Sequence, residues 1–164
     1  MRCRFLLNES FHELFTERVM IVAISYIELE RVGPQGDVVV VDTNATLVFD
    51  TIVSGEGLGT QISYNMGTGV ITFLEAGYYY IDWFVAPQFG LTTDGSNWAI
   101  QTSMSGLNII GSSHTKVSAT TGFAIVNAAA NETAQLVNVS DGALSLSQAV
   151  QSKAGLIVYS IVAF

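Results

Sequence analysis

From residue 45 onward, short runs rich in Val, Ile, Tyr and Phe alternate with clusters of Gly, Asn, Ser and Thr. The runs predict strands over 45–53, 60–65, 69–74, 77–86, 97–104, 106–111, 121–128, 132–139, 143–150 and 154–163. Turn signals such as "GEGLG", "NMGTG", "TTDGSN" and "SDG" separate them. Close spacing and the lack of helix-length periods in this region predict an all-β chain, an antiparallel sandwich.

The upstream pattern differs. Leu7, Phe11, Leu14, Phe15 and Val19 recur at helical spacing, with Asn8 or Ser10 placed to cap. That spacing predicts a helix over 9–30, although the β-branched residues of 19–27 suit a strand equally well. Residues 32–44, "VGPQGDVVVVDTN", form a joint in which "GPQGDV" reads as two collagen-type triplets. Two triplets cannot hold a triple helix, and composition alone favours a Gly-Pro turn before a strand. The chain thus divides into a leader (1–31), a linker with a collagen-like stub (32–44) and a head (45–164).

The stretch "EAGYYYIDWFV", residues 75–85, poses a packing problem. Successive strand residues point to opposite faces, so Tyr79, Ile81, Trp83 and Val85 share one face and Tyr78, Tyr80, Asp82 and Phe84 the other. One face packs inside; the other would leave three large aromatics in water, which soluble monomers seldom tolerate. The closing strand repeats the problem, with Leu156, Val158, Val162 and Phe164 on one face and Ile157, Tyr159 and Ile161 on the other. Two such strands predict association of subunits through one sheet. Tyr78, Tyr80, Phe84, Tyr159 and Ile161 are the expected contact; Phe49, Tyr64, Phe73, Tyr79, Ile81 and Trp83 the expected subunit core. Met66, Met104, Trp98 and Phe123 are also expected inside. Asp82, mid-strand among aromatics, has no evident role.

Charge narrows the function. Of 164 residues, 49% are hydrophobic and 12% charged, and the formal net charge is −8. Arg2, Arg4, Arg18 and Arg31 lie near the start, leaving Lys116 and Lys153 against nine acids thereafter. So acidic a surface repels phosphate backbones, which excludes nucleic acid as a partner. The run "VMIVAISYI" is too short for a membrane-spanning helix. Cys3 is the only cysteine, so neither an internal disulfide nor a cysteine metal cluster can form. His12 and His114 lack a ligand pattern, and "DTNAT" and "TTDGSN" are turns rather than calcium loops. Most acids of the head (Glu56, Glu75, Asp94, Asp141) sit in or beside turns, so no catalytic pair, metal site or cofactor is expected and the chain reads as a non-enzyme. Four Asn-x-Ser/Thr sequences, "NES", "NAT", "NET" and "NVS", fit glycosylation where the source performs it.

The segment "LVFDTIVSGEGLGTQISYNMGTGVITFLEAGYYYIDWFV" resembles the signature of globular heads in the complement component 1q and tumour necrosis factor superfamily. Phe49-Asp50, Tyr64, Phe73, Gly77, Tyr79 and Trp83 carry it; Ile81 departs from the usual Phe, and "AGLIVYSIVAF" looks like the closing strand. The likeness covers roughly 45–164 and is nearest to the C-terminal heads of collagen-like glycoproteins on Bacillus and clostridial spore surfaces. Those are also poor in Cys, Lys and Arg and rich in Ser, Thr, Ala and Gly. The resemblance implies a jelly roll of about ten strands, a homotrimer about a threefold axis, and a role in trimerising a stalk and covering the exosporium. Its partners would be its own copies, other spore-surface proteins or host ligands. In that light "GPQGDV" reads as the last stub of a collagen stalk and residues 1–31 as a leader foreign to it, so that removing residues 1–36 should leave an intact trimer. The alternative is a receptor- or glycan-binding head, as on a phage fibre or a cytokine-like ligand, with recognition at loops 88–97 and 111–120.

Overall fold

The computed structural model describes residues 25–56, 59, 61–90, 92–104, 108–113 and 118–161. Thirteen strands are described among these: β1 (Tyr26–Val32), β2 (Val40–Val41), β3 (Thr51–Glu56), β4 (Ile62–Asn65), β5 (Val70–Phe73), β6 (Gly77–Val85), β7 (Pro87–Gly90), β8 (Ser96–Thr102), β9 (Asn108–Ser113), β10 (Thr120–Ala128), β11 (Glu132–Asn138), β12 (Leu144–Leu146) and β13 (Ser152–Ile161). They form two five-stranded sheets, ordered β10-β6-β13-β1-β3 and β4-β5-β11-β8-β9, and a small sheet β2-β12-β7. All the pairings are antiparallel. The all-β sandwich expected from sequence is the observed architecture.

One core lies between the two large sheets. Ile27, Leu29, Tyr79, Ile81, Trp83, Val85, Leu156 and Val158 come from the first sheet; Ile62, Ile71, Phe73, Trp98, Ile100 and Leu136 from the second. The stacked rings of Phe73 and Tyr79, with centroids 4.3 Å apart, span the layers. Trp98 is buried as expected, whereas Met66, Met104 and Phe123 are exposed.

The first correction concerns the N-terminal part. Residues 26–30 are strand, not helix: Ile27 and Leu29 point inward and are wholly buried, while Tyr26, Glu28 and Glu30 face outward. That period of two was legible, but the helical spacing upstream masked it. β1 lies between β13 and β3 and is paired on both sides. The head therefore extends upstream of residue 45, and cutting after residue 36 removes an interior strand rather than a leader. A chain cut there lacks the strand between β13 and β3, so an intact trimer is not expected from it. The helix expected over residues 9–24 lies outside the described residues.

The second correction concerns "GPQGDV". Asp37 N–H donates to the Pro34 carbonyl at 3.1 Å, closing a turn in which Gly36 has φ +87°, a conformation open to glycine without strain. Gly33 and Gly36 N–H donate to the carbonyls of Gln151 and Gln148, and the Gln35 amide to that of Ala149. A Cβ on Gly33 would stand 2.6 Å from an Asp37 oxygen and 2.8 Å from Lys153 Cε. The stub is a turn bonded into the head.

Between β2 and β3 the expected strand 45–53 is mostly irregular, with a single bridge from Thr46 to Val137. Leu47 and Phe49 still reach the core. The Tyr64 hydroxyl secures this segment, accepting from Phe49 N–H at 2.7 Å and donating to the Phe49 carbonyl at 2.8 Å. Asp50 bonds the Val32 N–H and pairs with Arg31 at 3.1 Å. Thus Phe49-Asp50 fastens an irregular segment to β1 and β4.

Burial pushes the Tyr64 phenol from an ordinary 10.0 up to about 12, with the Asp50 carboxylate adding to the effect. Because the neutral phenol is the favoured folded form, its contribution is full below about pH 10 and lost as pH rises through about 12. Tyr64→Phe should cost about 1–3 kcal/mol in denaturant unfolding at neutral pH and flatten the wild-type decline between those values. An unchanged midpoint and an unchanged alkaline profile would remove Tyr64 from this role.

Candidate functional site

The outer face of the first sheet gathers exposed large apolar residues from several neighbouring strands. Its rows follow from the strand register. Ile125, Tyr80, Tyr159 and Tyr26 lie side by side across β10, β6, β13 and β1. The next row holds Phe123, Asp82, Ile157 and Glu28; the one after it Thr121, Phe84, Gly155 and Glu30. Asn127, Tyr78 and Ile161 make the fourth.

The aromatic rings are in mutual contact. Tyr80 stacks on Phe123 with centroids 6.1 Å apart, lies 6.4 Å from Tyr159, and Tyr159 lies 6.2 Å from Tyr26. Large apolar side chains stay open to solvent: Phe123 is 63% exposed, Ile125 54%, Tyr78 45%, Ile161 41% and Tyr159 36%. Apolar faces of this kind mark contact surfaces in soluble proteins.

The sequence-assigned residues divide as follows. Phe49, Phe73, Tyr79, Ile81 and Trp83 are buried, and Tyr64 is partly buried against the core. Tyr78, Tyr80, Phe84, Tyr159 and Ile161 all lie on the outer face, as the strand alternation requires. Phe84 already has a partner in its own sheet: its ring covers Gly155, where a Cβ would stand 2.5 Å from it. An aromatic lying over a cross-strand glycine stabilises the pair, so Phe84 is half-buried before any second copy arrives. Val162 and Phe164 lie outside the described residues.

Sequence reasoning missed Phe123, Ile125 and Tyr26. The cause is visible in β10, whose inward residues Ala124, Val126 and Ala128 are mostly small and whose outward ones are large. The expectation that large residues pack inward fails here because β6 fills the space. The Trp83 indole lies over Gly122 and against Gly111, where a Cβ would stand 2.5 Å from the ring. Tyr26 was missed because it was assigned to a helical leader.

Polar groups elsewhere act as fastenings. Thr93 donates through N–H and hydroxyl to Asp141, holding that carboxyl below its usual range. Asp94 accepts from Asn97, and Thr92 closes on the Gly95 carbonyl, so "TTDGSN" is a turn. Asn138 of "NVS" is buried and donates to the carbonyls of Val41 and Gly142; Asn44 and Asn131 occupy exposed turns with positive φ. Among the described residues no group of three His, Cys, Asp or Glu side chains converges as a metal site would require. His12 and residues 114–117 of loop 111–120, His114 and Lys116 among them, lie outside the described residues.

An open depression of about 280 Å³ interrupts the aromatic face. Phe84, Gly155 and Ile157 contribute its apolar lining, and Asp82, Glu28 and Glu30 its carboxylates. Glu28 accepts from Ser54 at 2.8 Å and Glu30 from Ser152.

No protein-family model matches the chain, and no curated protein matches it in sequence. Solved structures do match. The globular domain of zebrafish complement 1qA superposes with a TM-score of 0.58 at 9% identity, over 85% of this chain and 98% of that one. Murine APRIL at pH 5.0 gives 0.60 at 10% identity, over 84% and 99%. Eiger TNF from S. frugiperda gives 0.55 at 12% identity, over 86% and 93%. Likeness at such identities fixes the fold, a jelly roll of the complement 1q and tumour necrosis factor type.

The fit of Trp83 to β10 is directly testable. Gly122→Ala sets a methyl against the indole and should destabilise the domain by about 1–3 kcal/mol, as overpacking does. Chemical denaturation followed by circular dichroism measures it; a midpoint equal to wild type would mean that the ring has room to shift.

Proposed function

We propose that this domain is a non-enzymatic head that works by self-association, three copies meeting through the outer face of the first sheet. The observation that carries this reading is the unbroken chain of ring contacts from Phe123 through Tyr80 and Tyr159 to Tyr26, with Phe123 and Tyr159 exposed and Tyr80 and Tyr26 half-buried. Covering an exposed ring contributes up to roughly 1.5–3 kcal/mol and a half-buried one less, so a face with several of them gains by meeting another copy. The stoichiometry of three is the one that the resemblance to complement 1q and tumour necrosis factor heads implies.

Composition supports a setting on the outside of a bacterial spore, as the head of a glycosylated, collagen-like surface protein: the chain has one cysteine and six Lys and Arg. The "GPQGDV" turn lends that setting no support, because its glycines serve the head itself. The sandwich therefore carries the assembly whatever precedes it.

Sedimentation of the full chain at micromolar concentration should give a trimer. Tyr80→Asp should yield folded monomers with unchanged circular dichroism, whereas Trp83→Asp should abolish cooperative unfolding by placing a charge in the core. A well-folded wild-type monomer overturns self-association; equal effects of the two substitutions overturn the choice of face. The setting is read separately, by labelling intact spores of the source bacterium with antibody to the head. Surface label is expected, and label confined to the mother-cell interior overturns it.

A further inference from the structure

The aromatic face carries charge of one sign. Asp82 sits at mid-strand in β6 with Phe123 opposite it on β10 and Ile157 on β13. Unlike Glu28 and Glu30, which accept from serines, Asp82 has no hydrogen bond or ion pair among the described residues. The groups around it are uncharged on β10 (Thr121, Phe123), on β13 (Gly155, Ile157, Tyr159) and on β6 itself (Tyr80, Phe84). β1 adds Glu28 and Glu30, which share its depression, and Glu56 of β3 stands beside Tyr26.

No described cation answers these acids. Arg31 and Lys153 are the only basic residues among the described ones. Arg31 is paired with Asp50 at 3.1 Å. Lys153 is fully buried, its ammonium donating to the Ser147 carbonyl at 2.8 Å. A second copy, presenting the same surface, brings more carboxylates and no described counter-charge.

We infer that self-association is linked to proton uptake: copies bind one another more tightly as pH falls, because Asp82, with Glu28 and Glu30, takes up protons when the face is covered. The inference rests on the self-association reading and adds its control. In the free subunit Asp82 is exposed to water, and β1 lies two strand spacings away, roughly 10 Å, a distance at which salt screens like charges well. Covering the face removes that water and screening together. The ionised form of an unpaired carboxylate is then disfavoured by desolvation and by the acids of the neighbouring copy, and its protonated form is not. Each proton taken up strengthens the complex roughly tenfold per unit fall in pH within the titrating range.

The test is sedimentation of the full chain over a concentration series from about pH 7.5 to about pH 5.5 at constant ionic strength, above the acidic isoelectric region. The wild-type association constant should rise by about tenfold or more across that interval. Asp82→Asn should associate more tightly than wild type at the upper pH and show a shallower slope. Asp94→Asn, which removes one negative charge in a turn remote from the face, should keep the wild-type slope and so accounts for net charge. A flat wild-type profile overturns the linkage while leaving self-association standing, and so does an Asp82→Asn slope equal to that of Asp94→Asn. Monomers at every pH and concentration overturn both.

Discussion

The Trp83 indole fills space that side chains of Gly122 and Gly111 would need, and that fit governs how the two sheets close along one side. β6 presents Tyr79, Ile81, Trp83 and Val85 inward. The inner faces meet at a fixed depth of about 10 Å, so large inward rings on one strand demand small residues beside them. β10 meets that demand with Gly122, Ala124, Val126 and Ala128, which pair with Trp83, Ile81, Tyr79 and Gly77.

The outward consequence follows from the alternation of strand residues. With its inward positions held small, β10 carries its large residues, Phe123 and Ile125, on the opposite face, beside the outward Tyr78, Tyr80 and Phe84 of β6. β13 and β1 extend the same face with Tyr159, Ile161 and Tyr26. The surface available for assembly is thus the reverse of the sheet that forms the subunit core. Phe84 shows how the two tasks are separated: its ring lies over Gly155 and is already half-buried within the subunit. Phe123, stacked on the half-buried Tyr80, stays largely open to solvent.

Much of this was legible in the sequence where alternation was strict and strands were bounded by turn residues. The face assignment of residues 77–85 needed only the period of two, and Gly77–Val85 and Glu132–Asn138 lie close to their expected limits. Legibility failed where a contact distant in sequence decides the local outcome. Tyr26–Val32 is a strand because β13, over a hundred residues away, and β3 pair with it; the helical spacing before it is a local signal and says nothing of those partners. Residues 47–49 are irregular although apolar, because the Tyr64 hydroxyl takes both backbone groups of Phe49 that a neighbouring strand would otherwise bond.

The collagen-like triplets failed for a different reason, one that bears on any short periodic motif. A triple helix needs glycine at every third residue for a single cause, the crowding at its axis. Here the two glycines answer to separate causes: Gly36 supplies a positive φ to close a turn, and Gly33 clears space for Asp37 and Lys153. Two independent demands three residues apart yield the same letters as one repeated demand. Only the destination of the backbone hydrogen bonds tells them apart. In a triple helix the glycine N–H groups donate to neighbouring chains; here those of Gly33 and Gly36 donate to Gln151 and Gln148 of the same chain. The segment that looked like the entry of a stalk is the clasp that holds the start of the sandwich to its end.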